Sequence, residues 1–359
     1  MNGYQIGGIQ QIGIGVQNIH KAWNWYNRMF GMDCRIFEDE TEANLMLPYT
    51  GGKPQSRHAL LALNLQGGGG FEVWQYSNRE PVLIKEEVRI GDLGILVCKM
   101  KVRNIDAAWS FFTQNNCNLC GEPLNDPSGK KGFFLKDPFG NLFQIVEGDE
   151  WFMNENKVSG GTYGAIIGVS DIERSKIVYS DILGYDEVIY DSTGTFPDLA
   201  ILPGGNCEVR RVLLKSSRPI SGYFSRIFGT STIELVSATG KTGKRIYKDR
   251  FWGDPGFIHL CYDIYNMDEL KEFCSSKGFS FVVDSKHSRQ GDSFDMGEAA
   301  GYFAYIEDSD GILVEFVETH KMPVSKKLGW YVNLQKRNSY KPLPSWILKA
   351  LRFNRVKSS

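Results

Sequence analysis

One short pattern recurs four times along this chain, each time directly ahead of a helical stretch, and any fold must accommodate all four copies. It is an aliphatic residue, any residue, Asn or Asp, then Ile or Met. The copies are Val16-Gln17-Asn18-Ile19, Val102-Arg103-Asn104-Ile105, Val169-Ser170-Asp171-Ile172 and Ile264-Tyr265-Asn266-Met267. Asn or Asp at the third position suits a helix cap, because its side-chain oxygen accepts from the unpaired N–H groups of the first turn. Behind each copy, apolar residues fall three and four apart, as in Ala22-Trp23-Asn24-Trp25-Tyr26 and Leu270-Lys271-Glu272-Phe273-Cys274. That spacing predicts a one-sided helix. Three of these helices run out at Gly31, Gly184 and Gly278, where Gly permits a left-handed stop.

Strand-like runs follow each helix. They are Leu60–Leu65 with Phe71–Trp74, Gly132–Leu135 with Leu142–Val146, Val209–Leu214 with Ile233–Val236, and Tyr302–Glu307 with Ile312–Val317. Turn residues separate them where hairpins need them. Each unit reads β-α-β-β-β, so the fold class is α+β, with modules at 6–76, 91–147, 162–237 and 256–318. Polar, Gly-containing linkers fall near 77–91, 148–162 and 238–255, and the second marks a domain boundary at about residue 155. The expected division is a domain at 1–155, a second at 156–320, and a C-terminal extension at 321–359. The polar loop Asp284–Glu298 is expected to act as a flap over the fourth module.

Composition narrows the partners. The extension carries ten Lys/Arg and no Asp/Glu, which leaves 31 Lys/Arg against 42 Asp/Glu in the rest. An acidic body argues against nucleic acid. Seven scattered Cys and an N-terminus without a basic-then-apolar leader fit a cytoplasmic protein. Cys117 and Cys120 form one close pair, but without a second pair or a thioredoxin-like context they read as ordinary thiols near a helix end.

The chemistry concentrates in the fourth module. A lone His259 sits in the apolar strand Gly256-Phe257-Ile258-His259-Leu260-Cys261, and a lone Glu315 in Ile312-Leu313-Val314-Glu315-Phe316. Both are costly to bury unless something pairs with them. Two such residues at the ends of one β-α-β unit suggest a metal or proton-transfer site.

Four such modules, each with the helix-opening pattern, and a fourth that closes on a turn Gly311 four residues ahead of Glu315, resemble the vicinal oxygen chelate superfamily. It includes glyoxalase I, extradiol ring-cleaving dioxygenases and antibiotic-resistance proteins. The resemblance spans roughly residues 6–320. It implies that modules pair, that their sheets curl around a cleft, and that the cleft holds a divalent cation such as Zn, Ni, Co, Mn, Mg or Fe(II). It implies one ligand on each first strand and one on each last strand. The first-strand positions are Gln11, Val97, Gly164 and His259; the last-strand positions are Glu72, Gln144, Glu234 and Glu315.

Consecutive pairing, first with second and third with fourth, is the arrangement preferred here. It puts Glu234, His259 and Glu315 on the metal, with Glu234 or Glu315 doubling as proton carrier. Pairing of the first module with the fourth would instead bring Gln11, Glu72, His259 and Glu315 together, the ligand types of glyoxalase I. Tyr305, ten residues before Glu315, matches a tyrosine beside the metal in extradiol dioxygenases, and His287 in the loop is a second substrate-contacting candidate. Dioxygenase chemistry uses two His and one carboxylate around Fe(II), and the first His is missing at Gly164. The expected function is therefore a metal-dependent lyase or isomerase acting on a small substrate with vicinal oxygens. A metal-free binding protein and an extradiol-type dioxygenase are the alternatives. In the extension, Pro344–Phe353 reads as a short basic amphipathic helix capped by Ser345. It is expected to dock on its own body or a partner, in preference to an anionic membrane.

Overall fold

A computed structural model describes residues 3–240, 243–286, 294–295, 300–325 and 329–357. The first module is β1 (Gln5–Gly15), α1 (Ile19–Phe30), β2 (Cys34–Glu42), β3 (Ser56–Leu63) and β4 (Gly70–Tyr76). The second is β5 (Gly94–Val102), α2 (Ile105–Gln114), the short β6 (Asn118–Leu119) and β7 (Leu124–Asn125), β8 (Lys131–Lys136) and β9 (Leu142–Glu147). The third is β10 (Ser159–Gly168), α3 (Ile172–Lys176, continued by a wider turn Ile177–Ile182), β11 (Glu187–Gly194), α4 (Pro197–Ala200), β12 (Val209–Lys215), α5 (Ser225–Phe228) and β13 (Thr232–Ala238). The fourth is β14 (Gly256–Tyr265), α6 (Met267–Ser276), β15 (Val283–Asp284), β16 (Phe294–Asp295), β17 (Ala300–Glu307) and β18 (Leu313–Ser325), followed by β19 (Trp330–Asn333) and α7 (Ser345–Ala350).

The repeated pattern acts as read in three modules. Asn18, Asn104 and Asp171 accept from the backbone N–H groups of Lys21, Ala107 and Arg174 at 2.9, 2.8 and 3.1 Å. The fourth copy differs. Asn266 is left-handed (φ 67°) and caps nothing. Its side chain donates instead to Gly3 O, and the Glu318 carboxylate takes the Met267 N–H at 3.0 Å.

The modules do not pair consecutively. One sheet has the order β15-β17-β18-β14-β1-β4-β3-β2, with β16 beside β17 and β19 beside β18; it joins the first and fourth modules. The other runs β11-β12-β13-β10-β5-β9-β8-β6, with β7 beside β8, and joins the second and third. The expected boundary near residue 155 therefore does not separate the sheets. Each sheet is joined by its two first strands, β1 antiparallel to β14 and β10 antiparallel to β5. Both sheets curl, and α1, α2, α3 and α6 pack on one face of each, sharing a single large core that includes Phe30, Phe71, Phe112, Tyr179 and Leu260. A second tie joins the sheets: Gly69 and Thr162 exchange backbone hydrogen bonds at 3.0 and 2.8 Å. That approach needs glycine, since a Cβ on Gly161 would lie 2.3 Å from Gly69 O.

The extension continues from β18 through β19 and folds back over the first sheet. Ile347, Leu348 and Leu351 are buried against the body, while Trp346 and Phe353 stay exposed. Pro344, not Ser345, precedes the first turn of α7; Ser345 Oγ accepts from Arg226 at 2.6 Å. All seven cysteines are free thiols. Among the described residues no helix is long and apolar enough to cross a membrane.

Candidate metal centre

The pairing of the first and fourth modules sets four side chains on one face of the first sheet. In β1 and β14, Gly13 faces His259 and Gln11 faces Cys261. β4 runs parallel to β1 and places Glu72 beside Gly13; β18 runs parallel to β14 and places Glu315 beside Cys261. Side chains alternate along each strand, so Phe71, Val73, Val314 and Phe316 point to the helices and the two Glu to the other face. There His259 Nε2 lies 3.1 Å from a Glu315 oxygen and 3.4 Å from a Glu72 oxygen.

Neither contact has hydrogen-bond alignment, and Nε2 is buried without a partner; so is Gln11 Oε1. These orphaned donor atoms are the test of fit for a cation. Ligand atoms about 2.1 Å from a common ion stand about 3.0–3.4 Å from one another in octahedral or tetrahedral geometry, and the observed separations fall there. Gln11 Nε2 reaches Glu315 at 3.5 Å, and a half-turn of the amide presents its oxygen instead. His259, Glu72, Glu315 and Gln11 could together hold a divalent ion.

Three further residues shape the centre. Tyr305 OH donates to the other Glu315 oxygen at 2.6 Å. Trp252, in the loop before β14, reaches His259 Nδ1 with its indole N–H at 3.3 Å, with the two rings 17° from parallel. Gly13 makes room for the imidazole: a Cβ there would lie 2.4 Å from His259 Cε1. Burial pulls the imidazolium pKa down, but Glu315 and Glu72 beside it raise it to about 9. Burial works against the Glu315 carboxylate, yet His259 and the Tyr305 hydroxyl hold it below the usual range.

Glu234 is elsewhere. It lies in β13 of the second sheet, completely buried, where Lys99 Nζ and Arg211 Nε each meet one of its oxygens at 2.7 Å. Tyr190 OH adds a bond at 2.8 Å. Burial raises its pKa, but Arg211 and Lys99 win and leave it at about 2. With both oxygens taken by fixed cations, Glu234 has no room for a metal and does not reach His259. Tyr305 is at the centre, against Glu315; His287 lies outside the described residues, as does most of the loop expected to act as a flap. Gln11 and Glu72 are legible from sequence only through the pairing not preferred there. Trp252 and Gly13 went unread: Gly13 is revealed by the register of β1 against β14, and Trp252 by the path of the loop that precedes β14. A second cluster, His20, Glu38 and His58, lies nearer the surface; its carboxylate is already met by Arg35 and His58.

A cavity of about 380 Å³ opens over Gln11, Glu72 and Glu315. Two family models match the chain, at residues 8–145 and 165–297, both described as the Glyoxalase/Bleomycin resistance protein/Dioxygenase superfamily. Similar solved structures include a candidate dioxygenase from Bacillus subtilis, 14% identical over 88% of this chain and 86% of that one, with a TM-score of 0.55. A single-residue variant of glyoxalase I from Zea mays is 13% identical over 88% of this chain and 92% of that one, with a TM-score of 0.54. At such identities the likeness is one of fold. No curated protein sequence matches.

Proposed function

The chain belongs to the Glyoxalase/Bleomycin resistance protein/Dioxygenase superfamily, and on that premise we propose that it is a divalent-metal-dependent lyase or isomerase of the glyoxalase type. The observation that carries this reading is the convergence of Gln11, Glu72, His259 and Glu315, with two carboxylate oxygens within 3.4 Å of one buried imidazole nitrogen. A cation bound there supplies a Lewis acid for paired substrate oxygens.

The chain's own groups divide the remaining work. Glu315 is anchored: one oxygen accepts from Tyr305 and the other faces His259, so it serves as a fixed ligand. Glu72 lines the cavity and, among the described residues, is engaged on the side of His259. A carboxylate so placed can take a proton from a carbon beside a substrate oxygen and return it nearby, worth typically 10²–10⁴ in rate. Tyr305 fixes the orientation of Glu315 by donating to it, and the Trp252 indole packs near-parallel to the His259 ring. One His with two carboxylates is a harder donor set than the two His and one carboxylate of Fe(II) oxygen activation, which supports non-redox chemistry.

Metal analysis of the purified protein is the test. The expected result is about one divalent ion per chain, removed by chelator and absent from His259→Ala. Binding of none of Zn, Ni, Co, Mn, Mg or Fe(II), or uptake unaffected by His259→Ala, sinks the proposal.

A further inference from the structure

We infer that this centre serves a predominantly apolar substrate, and that the C-terminal extension forms the wall that limits its size; the inference rests on the metal-centre reading above. The cavity over Glu72 and Glu315 is walled on the sheet side by Leu61, Trp74 and Phe303. Phe224 and Phe228, from the segment around α5 of the third module, close a second side. Met322, near the end of β18, and Leu351, from the extension, close a third. Of the two cationic side chains lining the cavity, Arg57 is bonded to Asp39 at 2.9 Å and Lys321 rests 4.4 Å from the Tyr331 ring. Both are engaged, so the cation that faces a substrate is the one the centre itself holds. A ligand here is read by a chelating pair of oxygens at one end and mainly by apolar contact along the rest, with Asp39, Glu42 and Asn44 also on the lining.

The wall is fixed in place. Tyr223 OH lies 2.8 and 2.7 Å from Leu334 O and Arg337 O, its one proton shared between them. Farther along, Cys34 Sγ donates to Leu351 O at 3.1 Å and Val356 N–H to Asp33 O at 2.9 Å. Arg355 pairs with Glu155. The extension thus leaves β18 near one side of the curled sheet and is tied down beside β2, the strand at its other edge. Met322 and Leu351 are nearly inaccessible to solvent. The segment follows the fourth module and lies outside both family-model matches.

The experiment titrates the full-length, Zn(II)-loaded protein calorimetrically with acetohydroxamic, hexanohydroxamic, decanohydroxamic and succinomonohydroxamic acids, which share one chelating head and differ in tail. Affinity should rise about three- to fourfold per added methylene up to the length the cavity accepts, with no gain for the carboxylate-ended tail. Equal affinity of all four, or preference for the charged tail, overturns the apolar-substrate inference while leaving the metal reading intact. Leu351→Ala and Met322→Ala, checked for folding by thermal denaturation, should raise decanohydroxamate affinity relative to hexanohydroxamate; an unchanged ratio overturns the role of the wall. In chelator-treated protein, 1-naphthol should still bind saturably, read by tryptophan quenching, and Leu351→Ala should weaken it about threefold or more. Failure to bind 1-naphthol overturns the inference even where metal binds. Retention of 1-naphthol with no metal uptake overturns the metal reading instead.

Discussion

Glu315 and Glu234 hold the same position in two copies of one module and meet opposite surroundings. In the second sheet, two cations, Lys99 and Arg211, face two carboxylates, Glu234 and Asp198, at 2.7–2.8 Å. The segment around α4 brings Leu199 and Leu202 onto the same face against Val97, Ile166 and Val236, and the pocket beside Lys99 and Gln144 has about 90 Å³. In the first sheet, Glu72 and Glu315 share one imidazole, so even a charged His259 leaves one negative charge over, under a cavity about four times larger. One half of the molecule carries its cations covalently; the other, on the proposed reading, would take one up. The contrast teaches that a ligand position in a repeat is defined by what the neighbouring strands send toward it.

The largest effect that can break this comparison is on stability. Glu234→Ala strands Lys99 and Arg211 in the interior, and removing one partner of a buried ion pair costs about 3–5 kcal/mol. Urea denaturation should show that loss with metal uptake unchanged in the folded fraction; a loss below about 1 kcal/mol would mean the cluster is not a structural one. Glu234 and Asp263, one in each sheet, should also respond oppositely to pH. Glu234 has a folded pKa of about 2, below the ordinary carboxylate value of about 4.3. Its stabilisation is present above about pH 4 and is lost as pH falls toward 2. Asp263, in β14 of the first sheet, is pushed up to about 8 by burial, with Tyr265 donating to it and Glu318 repelling its charge. Its contribution is full below about pH 4 and declines as pH rises to 8. In chelator-treated protein, Asp263→Asn should flatten the alkaline decline and leave the acid limb alone, while Glu234→Gln should reduce the acid-limb slope. A wild-type profile level between pH 4 and 8, or an unchanged alkaline limb in Asp263→Asn, would falsify the Asp263 half.

Next in size is the metal. His259→Ala and Glu315→Gln should each weaken cation binding about 100-fold or more, beyond the 10–100-fold typical of residues that merely orient ligands. Gly13→Ala should cost about tenfold, because its methyl group would meet the imidazole. Glu234→Gln and Gln144→Ala, the corresponding last-strand positions of the second sheet, should cost nothing measurable. Calorimetric titration reads all five; equal losses in both sheets would erase the distinction between them.

Much of the fold is local and was therefore legible. The helix starts follow from Asn18, Asn104 and Asp171, and the stops from Gly31, Gly184 and Gly278, all with positive φ. Asn266 departs because a residue 52 positions away in the sequence, Glu318, takes over its neighbour's N–H. The pairing of modules has no such local signature. β1, β5, β10 and β14 are all buried first strands of similar make-up. Which two join shows only in the register of β1 against β14 and of β10 against β5. The fate of Glu234 was hidden for the same reason: Lys99 comes from another module and Arg211 from a strand the ligand pattern does not mark. His259 and Glu315 needed no pairing, because one module supplies both.

The smallest expected effect is the sharpest. The second module already carries Gln144 where the first carries Glu72, so Glu72→Gln gives the first sheet the residue the second sheet uses. In the chelator-treated protein it relieves repulsion between two carboxylates and keeps the side-chain volume, so stability should change by less than about 1 kcal/mol. Cation binding should survive through His259, Glu315 and Gln11, weakened about tenfold, and proton transfer should fail. Loss of several kcal/mol on Glu72→Gln, comparable to that on Glu234→Ala, would make Glu72 a structural partner of His259. The first sheet would then hold a buried ion pair of the same kind as the second, and the open place for a cation would be gone.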